Sequence, residues 1–380
     1  MNCELKKYCA LGILLCGFSL SGQAAEVLPD WALGAFVRPE GVNPMISPQP
    51  KSTFFCPMRD AVVNWELADT FNPAAVEKDG RVYVLYRAED NPDVGIGDRT
   101  SRVGYVESAD GLHIDYRAPE PVCFPNKSEI SRTYEWDGGV EDPRIVEAQV
   151  DGKRIFVMTH TSWNHDTPRL SIATSQDLKG WNHWGPAFSK AYGGKFLEIA
   201  CKSGSILTQE KDGRLQAVRV KVNGEMKYFM YWGETGVYAA TSDNLTDWTP
   251  LVDEKGDLLC LASPRKGFFD SALTECGPPA VLTDKGIVLL YNGKNLDQGG
   301  DAQYPARTYA AGQMLFSRDN PLQYVTRLDN PFFYPMSDFE KSGQYVDGTV
   351  FIEGLVLHQG CWFLYYGCAD SRVAVAVWKP

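Results

Sequence analysis

Residues 72–87 read NPAAVEKDGRVYVLYR, from Asn72 to Arg87. A short apolar run, an Asp79-Gly80 turn and an alternating Val/Tyr/Leu strand form the signature of a tight β-hairpin. The pattern returns as DPRIVEAQVDGKRIFVMTH from Asp142 and SGSILTQEKDGRLQAVRVKVNGEMKYFMYW from Ser203. It returns again as GPPAVLTDKGIVLLYNG from Gly277 and DGTVFIEGLVLHQGCWFLYYG from Asp347, the starts lying 70, 61, 74 and 70 residues apart. A second string interleaves with it, an alternating strand that ends in Ser before a turn. Its copies are VGYVESADG around Ser108, LSIATSQDLKGW around Ser175, VYAATSDNLTDW around Ser242 and GQMLFSRDN around Ser317. VAVAVW from Val373 is a fifth copy without its turn. Five units, each carrying three or four short strands, predict an all-β chain built as a single-domain five-bladed β-propeller over residues 26–380. A tandem of β-sandwiches is the alternative, and five matched pairs of strings favour the propeller. No Pro/Ser linker or composition break divides the chain.

Composition agrees. The 380 residues hold 35 Gly, 23 Pro and 12% aromatic side chains, which favours short strands, many turns and flat rings over long helices. A net charge of −11 repels a phosphate backbone, so nucleic acid is not an expected partner.

Lys6 and Lys7, the apolar run 11–20 and the small residues Ser21, Gly22, Ala24 and Ala25 describe a secretory signal peptide over residues 1–25. The run is shorter than the roughly 20 apolar residues that span a bilayer, and no later segment reads as an integral membrane span. Export to the periplasm is expected. Cys16 invites a lipid anchor, but the bulky Leu15 before it fits that processing site poorly. The seven later cysteines, Cys56, Cys123, Cys201, Cys260, Cys276, Cys361 and Cys368, show no CxxC spacing. They read as small buried hydrophobes, with one or two disulfides left open.

Equivalent positions of propeller blades converge on one channel mouth, so the module heads are expected to be neighbours. They include Asn72, Glu141 with Asp142 and Arg144, Lys202 with Ser203, Glu275 and Asp347. Arg87, Glu89 and Asp90 lie at the exit of the first hairpin, and Trp232 with Glu234 at the exit of the third. Carboxylates and arginines grip vicinal hydroxyls and aromatic faces cover a sugar ring, so a neutral oligosaccharide is the expected partner. Carboxylate pairs there also serve as acid and base for glycosidic cleavage. Structural roles stay open: Asp142 and Asp347 suit turn capping, and Glu141 with Arg144 suits an ion pair. Trp181 and Trp248 recur at one place in two modules and read as packing residues. Glu234 interrupts an apolar run in which strand packing asks for no carboxylate. Five histidines without HExxH or three-ligand spacing argue against a metal. No GxSxG elbow or dinucleotide fingerprint is present, and no cofactor is expected.

FNPAAV, YRAED, EDPR, ATSQDLKGW and GPPAVLTDKGIVLLYNG, in this order, resemble the β-mannoside phosphorylase and β-1,2-mannosidase family, glycoside hydrolase family 130. The resemblance runs from about Pro39 to the C-terminus. It implies a five-bladed propeller and an inverting mechanism in which Asp142 is the general acid, passing its proton through the 3-hydroxyl of the mannose in the −1 subsite. It also implies mannose contacts at Asn72, Arg87, Arg144 and Asp347. Phosphorylase members carry an LHRP-like string whose His and Arg bind phosphate, and here that place holds YWGE, Tyr231 to Glu234. Loss of both cationic donors disfavours a phosphate dianion, while Glu234 and Glu275 are suited to activate water. An inverting β-1,2-mannosidase is therefore expected, with Asp142, Glu234 and Glu275 catalytic and Asn72, Arg87, Glu141, Arg144, Lys202, Trp232 and Asp347 binding substrate. Rivals are a phosphorylase releasing mannose 1-phosphate, a non-catalytic glycan-binding propeller and a furanosidase-type five-bladed glycosidase. Loops 90–102 and 297–307 are long enough to reach a neighbouring subunit, which leaves an oligomer open.

Overall fold

The computed structural model describes residues 27–380, so the expected signal peptide lies outside the described residues. The chain is nearly all β, with 45% strand and 4% helix. Among the described residues no helix is long and apolar enough to cross a membrane.

Five antiparallel modules follow in chain order. Module one is Asp69–Lys78, Arg81–Glu89 and Ser101–Ser108. Module two is Gly139–Val150, Lys153–Trp163 and Arg169–Ser175. Module three is Gly204–Ile206, Glu225–Trp232 and Val237–Ser242. Module four is Leu273–Cys276, Ile287–Lys294 and Tyr309–Phe316. Module five is Val350–His358, Cys361–Cys368 and Arg372–Trp378. Modules one to four add a short outer strand: Tyr116–Arg117, Asn182–Pro186, Thr249–Pro250 and Tyr324–Arg327. The fifth takes its outer cover from the N-terminal segment, where Val37 bridges Val377 and Ile46 bridges Val373.

Strands buried on both faces bring their modules together through apolar clusters. One cluster joins Leu85 and Tyr105 of module one to Val140 and Phe156 of module two. The next joins Val157 to Met230, and another joins Phe229 to Leu289. Leu290 meets Leu364 between modules four and five, and Val84 meets Tyr365 between modules one and five. Each module thus buries its two faces against its neighbours, with the fifth against the first.

The recurring Ser strings are turn devices. Ser108, Ser175 and Ser242 Oγ accept the backbone N–H of Gly111, Leu178 and Leu245 at 2.8–2.9 Å. Asp177 Oδ1 accepts the N–H of Lys179 and Gly180, and Asn244 Oδ1 those of Thr246 and Asp247. Trp181 and Trp248 close the same turns, each Nε1 donating to the carbonyl three residues back. This is local side-chain to backbone bonding, independent of any ligand. The thiols of Cys56, Cys123, Cys201, Cys276 and Cys368 are free and buried, and Cys260 is exposed.

Candidate active site

The inner strands are broken at their heads by β-bulges, which re-aim side chains. Pairing skips Asn72 between Phe71 and Pro73, skips Asp142 and Pro143 between Glu141 and Arg144, and skips Glu353 between Ile352 and Gly354. Asn72 and Asp142 have φ of 46° and 49°, and Ser203 at the third head has φ of 63°. Asn and Asp tolerate this left-handed region because their short polar side chains bond locally.

Asp142 is gripped by module one. Asn72 Nδ2 donates to its Oδ1 at 2.8 Å and Arg87 Nη1 at 3.0 Å. The Arg87 Nη2 group reaches Glu89 Oε1 and Glu141 Oε1, both at 2.7 Å, and Nε reaches Ser101 Oγ at 3.1 Å. Burial works to raise the Asp142 carboxyl, but the cations Arg87, Lys202 and Arg144 hold it down at about 2. Burial pushes neighbouring Glu141 up to about 7 against the pull of Arg87.

A second cluster joins modules three and four. Gly233, at φ 121°, permits a turn in which a Cβ would come within 2.2 Å of the Gly236 carbonyl. Its N–H donates to the Lys202 carbonyl, while the Gly233 and Glu234 carbonyls accept from Cys276 and Thr274. This pins Glu234 beside Lys202. Lys202 Nζ lies 3.0 Å from Glu234 Oε1 and 3.6 Å from Glu275 Oε1. Ser203 Oγ donates to Glu275. The Glu275 side chain is 2% exposed and that of Glu234 43%. Burial raises Glu275, Lys202 opposes that and the Glu234 charge adds to it. Lys202 also faces Asp142, so one ammonium connects the two clusters.

Asn72, Arg87, Glu141, Asp142, Lys202, Glu234 and Glu275 therefore gather at one end of the modules. Three other expected contacts are engaged within the protein. Arg144 donates to the carbonyls of Asp142, Cys276 and Gly277, each at 3.0 Å, and pairs with Glu353 at 3.0 Å. With its side chain 1% exposed, it pins three module heads together instead of meeting a sugar. Trp232 is packed among Phe188 and Tyr238 as core, because its strand turns that face inward. Asp347 pairs with exposed Arg307 at 3.0 Å in a loop outside the fifth head. That head is Glu353. The signal for it is a polar residue before Pro or Gly, as in Asn72-Pro73, Asp142-Pro143 and Ser203-Gly204. Asp370 was also overlooked. It follows the fifth hairpin, faces Arg87 and Asp142, and burial pushes it up to about 7. Its hairpin-exit position matches that of Glu234 in module three. Among the described residues no three His, Cys, Asp or Glu side chains converge in a way that could hold a metal ion.

Carboxylates disposed around cations on an all-β frame suit chemistry on a polyhydroxylated substrate. Comparison with known proteins makes that specific. The model of glycoside hydrolase family 130, described as beta-1,4-mannooligosaccharide phosphorylase, matches residues 55–380. The chain belongs to this family, whose members act on mannosides. It is 29% identical over 325 residues to a 1,2-beta-oligomannan phosphorylase of Thermoanaerobacter sp. (strain X514), covering 84% of this chain and 93% of that one. A putative glycosidase from Bacteroides thetaiotaomicron VPI-5482 has a solved structure with TM-score 0.89 and 56% identity, over 93% of this chain and 99% of that one. Another structure has TM-score 0.90 and 56% identity over 94% and 97% of the chains. It is described by the words that the GH130 family of mannoside phosphorylases contains glycoside hydrolases that target beta-1,2 mannosidic linkages in Candida mannan.

Proposed function

We propose that this protein is an exported, inverting β-1,2-mannosidase in which the five modules close as a five-bladed propeller. Apolar contact between every consecutive pair of modules, including the fifth with the first, supports the propeller. Residues 1–25 carry the export part of the reading.

The observation that carries hydrolysis is the bracketing of Lys202 by Glu234 and Glu275. One ammonium beside two carboxylates leaves the pocket net negative when all are ionised. A phosphate dianion there meets repulsion, whereas a water molecule finds an acceptor for its proton. Asp142 protonates the leaving oxygen through the mannose 3-hydroxyl, with Asn72 and Arg87 fixing its carboxyl. Glu275, buried and held by Ser203, orients or deprotonates water together with Glu234, and attack from the opposite face inverts the anomeric centre. The 56% identical structure described for β-1,2-targeting hydrolases supports this reading. Phosphorolysis is the second reading, favoured by the Thermoanaerobacter phosphorylase and by Lys202 as a cation within reach.

The test is product analysis on β-1,2-mannobiose with and without inorganic phosphate. Mannose alone at a phosphate-indifferent rate is expected. Mannose 1-phosphate formed only with phosphate would overturn the hydrolase assignment. In E275Q, turnover is expected to fall by about 10²-fold or more, the usual weight of a general base.

A further inference from the structure

The acid's immediate surroundings hold a charge imbalance that the mechanism above leaves unused. Arg87, with its side chain 7% exposed, makes hydrogen-bond contact with Glu89, Glu141 and Asp142 together. Those side chains are 0%, 12% and 5% exposed. Three ionised carboxylates on one cation in so little water would leave two uncompensated charges, and like charges sharing a dry site cannot all ionise. Glu89 is relieved from outside, because Arg99 Nη1 reaches its second oxygen at 3.1 Å. Asp142 has the Asn72 amide and faces Lys202 and Arg144. Glu141 shares Arg87 with both, and its further short contact is the Ser101 hydroxyl at 3.2 Å. It is also the most exposed of the three, and so the best placed to exchange a proton with solvent.

We propose that Glu141 and Asp142 hold a single proton between them through neutral pH, and that Glu141 is the positioning residue that keeps this proton available to the acid. The inference rests on Asp142 as acid, which hydrolysis and phosphorolysis share. In the empty site the proton lies on Glu141. When the glycosidic oxygen arrives, Glu141 gives its proton to a water as Asp142 takes one up from water, because both carboxyls are held by Arg87 and not by each other. The Asp142 O–H then breaks as its proton passes to the mannose 3-hydroxyl, whose own proton goes to the leaving oxygen. A solvent proton reloads Glu141 after products depart. The charged groups facing Glu141 are Arg87 and Glu89 of module one, Asp142 beside it and Lys202 of module three. The Asp370 carboxyl of module five faces the same Arg87 and Asp142 and is the rival holder.

The experiment is the pH profile of kcat/KM for wild type, E141Q, E141D and D370N, with products identified in the same samples. In E141Q the Asp142 carboxyl loses its like-charged neighbour and is left with its cations. Its alkaline limb is expected to move down by about two pH units, a loss of about a hundredfold above that limb. E141D is expected to restore most of the limb. A purely structural role for Glu141 would lower the rate at all pH values and leave the limb in place, and that result overturns the proposal. So does a limb moved by D370N and not by E141Q. If mannose 1-phosphate appears while the E141Q limb still moves, the hydrolase reading fails and the proton-sharing inference stands. Chemical unfolding midpoints of the variants separate misfolding from either outcome.

Discussion

Lys202→Met removes the ammonium that connects the two carboxylate clusters. The Nζ lies 3.6 Å from Glu275 and 3.0 Å from Glu234. An opposite charge at this range lowers a carboxylate's pKa by about 1 to 3 pH units. Glu275 is nearly dry, so the effect on it is screened little. Burial already raises Glu275 and the Glu234 charge adds to that, so Lys202 is the main opposing force. A base must be ionised to work. The acidic limb of kcat/KM is therefore expected to move up by about 1 to 3 pH units in K202M, each worth about 1.4 kcal/mol. Lys202 also holds Asp142 down, so the alkaline limb moves the same way by a smaller amount. The assay is mannose release from β-1,2-mannobiose across the pH range, with circular dichroism to verify folding. An unmoved acidic limb in a folded variant would refute Lys202 as the group that keeps Glu275 charged.

Two further outcomes concern stability. Arg144→Met leaves Glu353, 0% exposed, without its cation and three head carbonyls without a donor. Urea titration should show a loss of about 3–5 kcal/mol, and adding Glu353→Leu should recover part of it because the two sites couple. His183 is lifted from 6.5 to about 11. Burial works against the charged ring, but the Cys123 and Glu135 partners prevail. A raised folded-state value stabilises fully below pH 6.5, and the contribution is lost as pH climbs from there toward 11. The wild-type Tm should accordingly fall across that window, and in His183→Gln the fall should be shallower.

The elements were largely legible because hairpins and Ser-x-Asp turns are local. A DG turn, alternating side chains and a Ser two residues before Asp or Asn state their own hydrogen bonds. Asp142 drew attention from its place at a module head and from the EDPR string of the family resemblance. Glu234 stood out as a charge inside an apolar run. The fifth head was misplaced at Asp347 because DG there imitates a module start, whereas the head before Gly354 is Glu353. Trp232 drew attention as an aromatic near a carboxylate, but the facing of a residue at the end of a strand is set by what packs over it.

The sequence by itself determined five repeated modules, their turn chemistry and the all-β class. All of these follow from period-2 patterning and from side chains that bond their own backbone. The tertiary structure decided the partnerships. It put Arg87 between Glu89, Glu141 and Asp142, and it set Lys202 against Glu234 and Glu275. It also withdrew Arg144 and Trp232 from the ligand surface and brought in Asp370. These contacts join residues as far apart in sequence as Arg87 and Asp370, and their energies depend on how little water remains around each charge. That quantity belongs to the packed modules and is carried by no local pattern of residues.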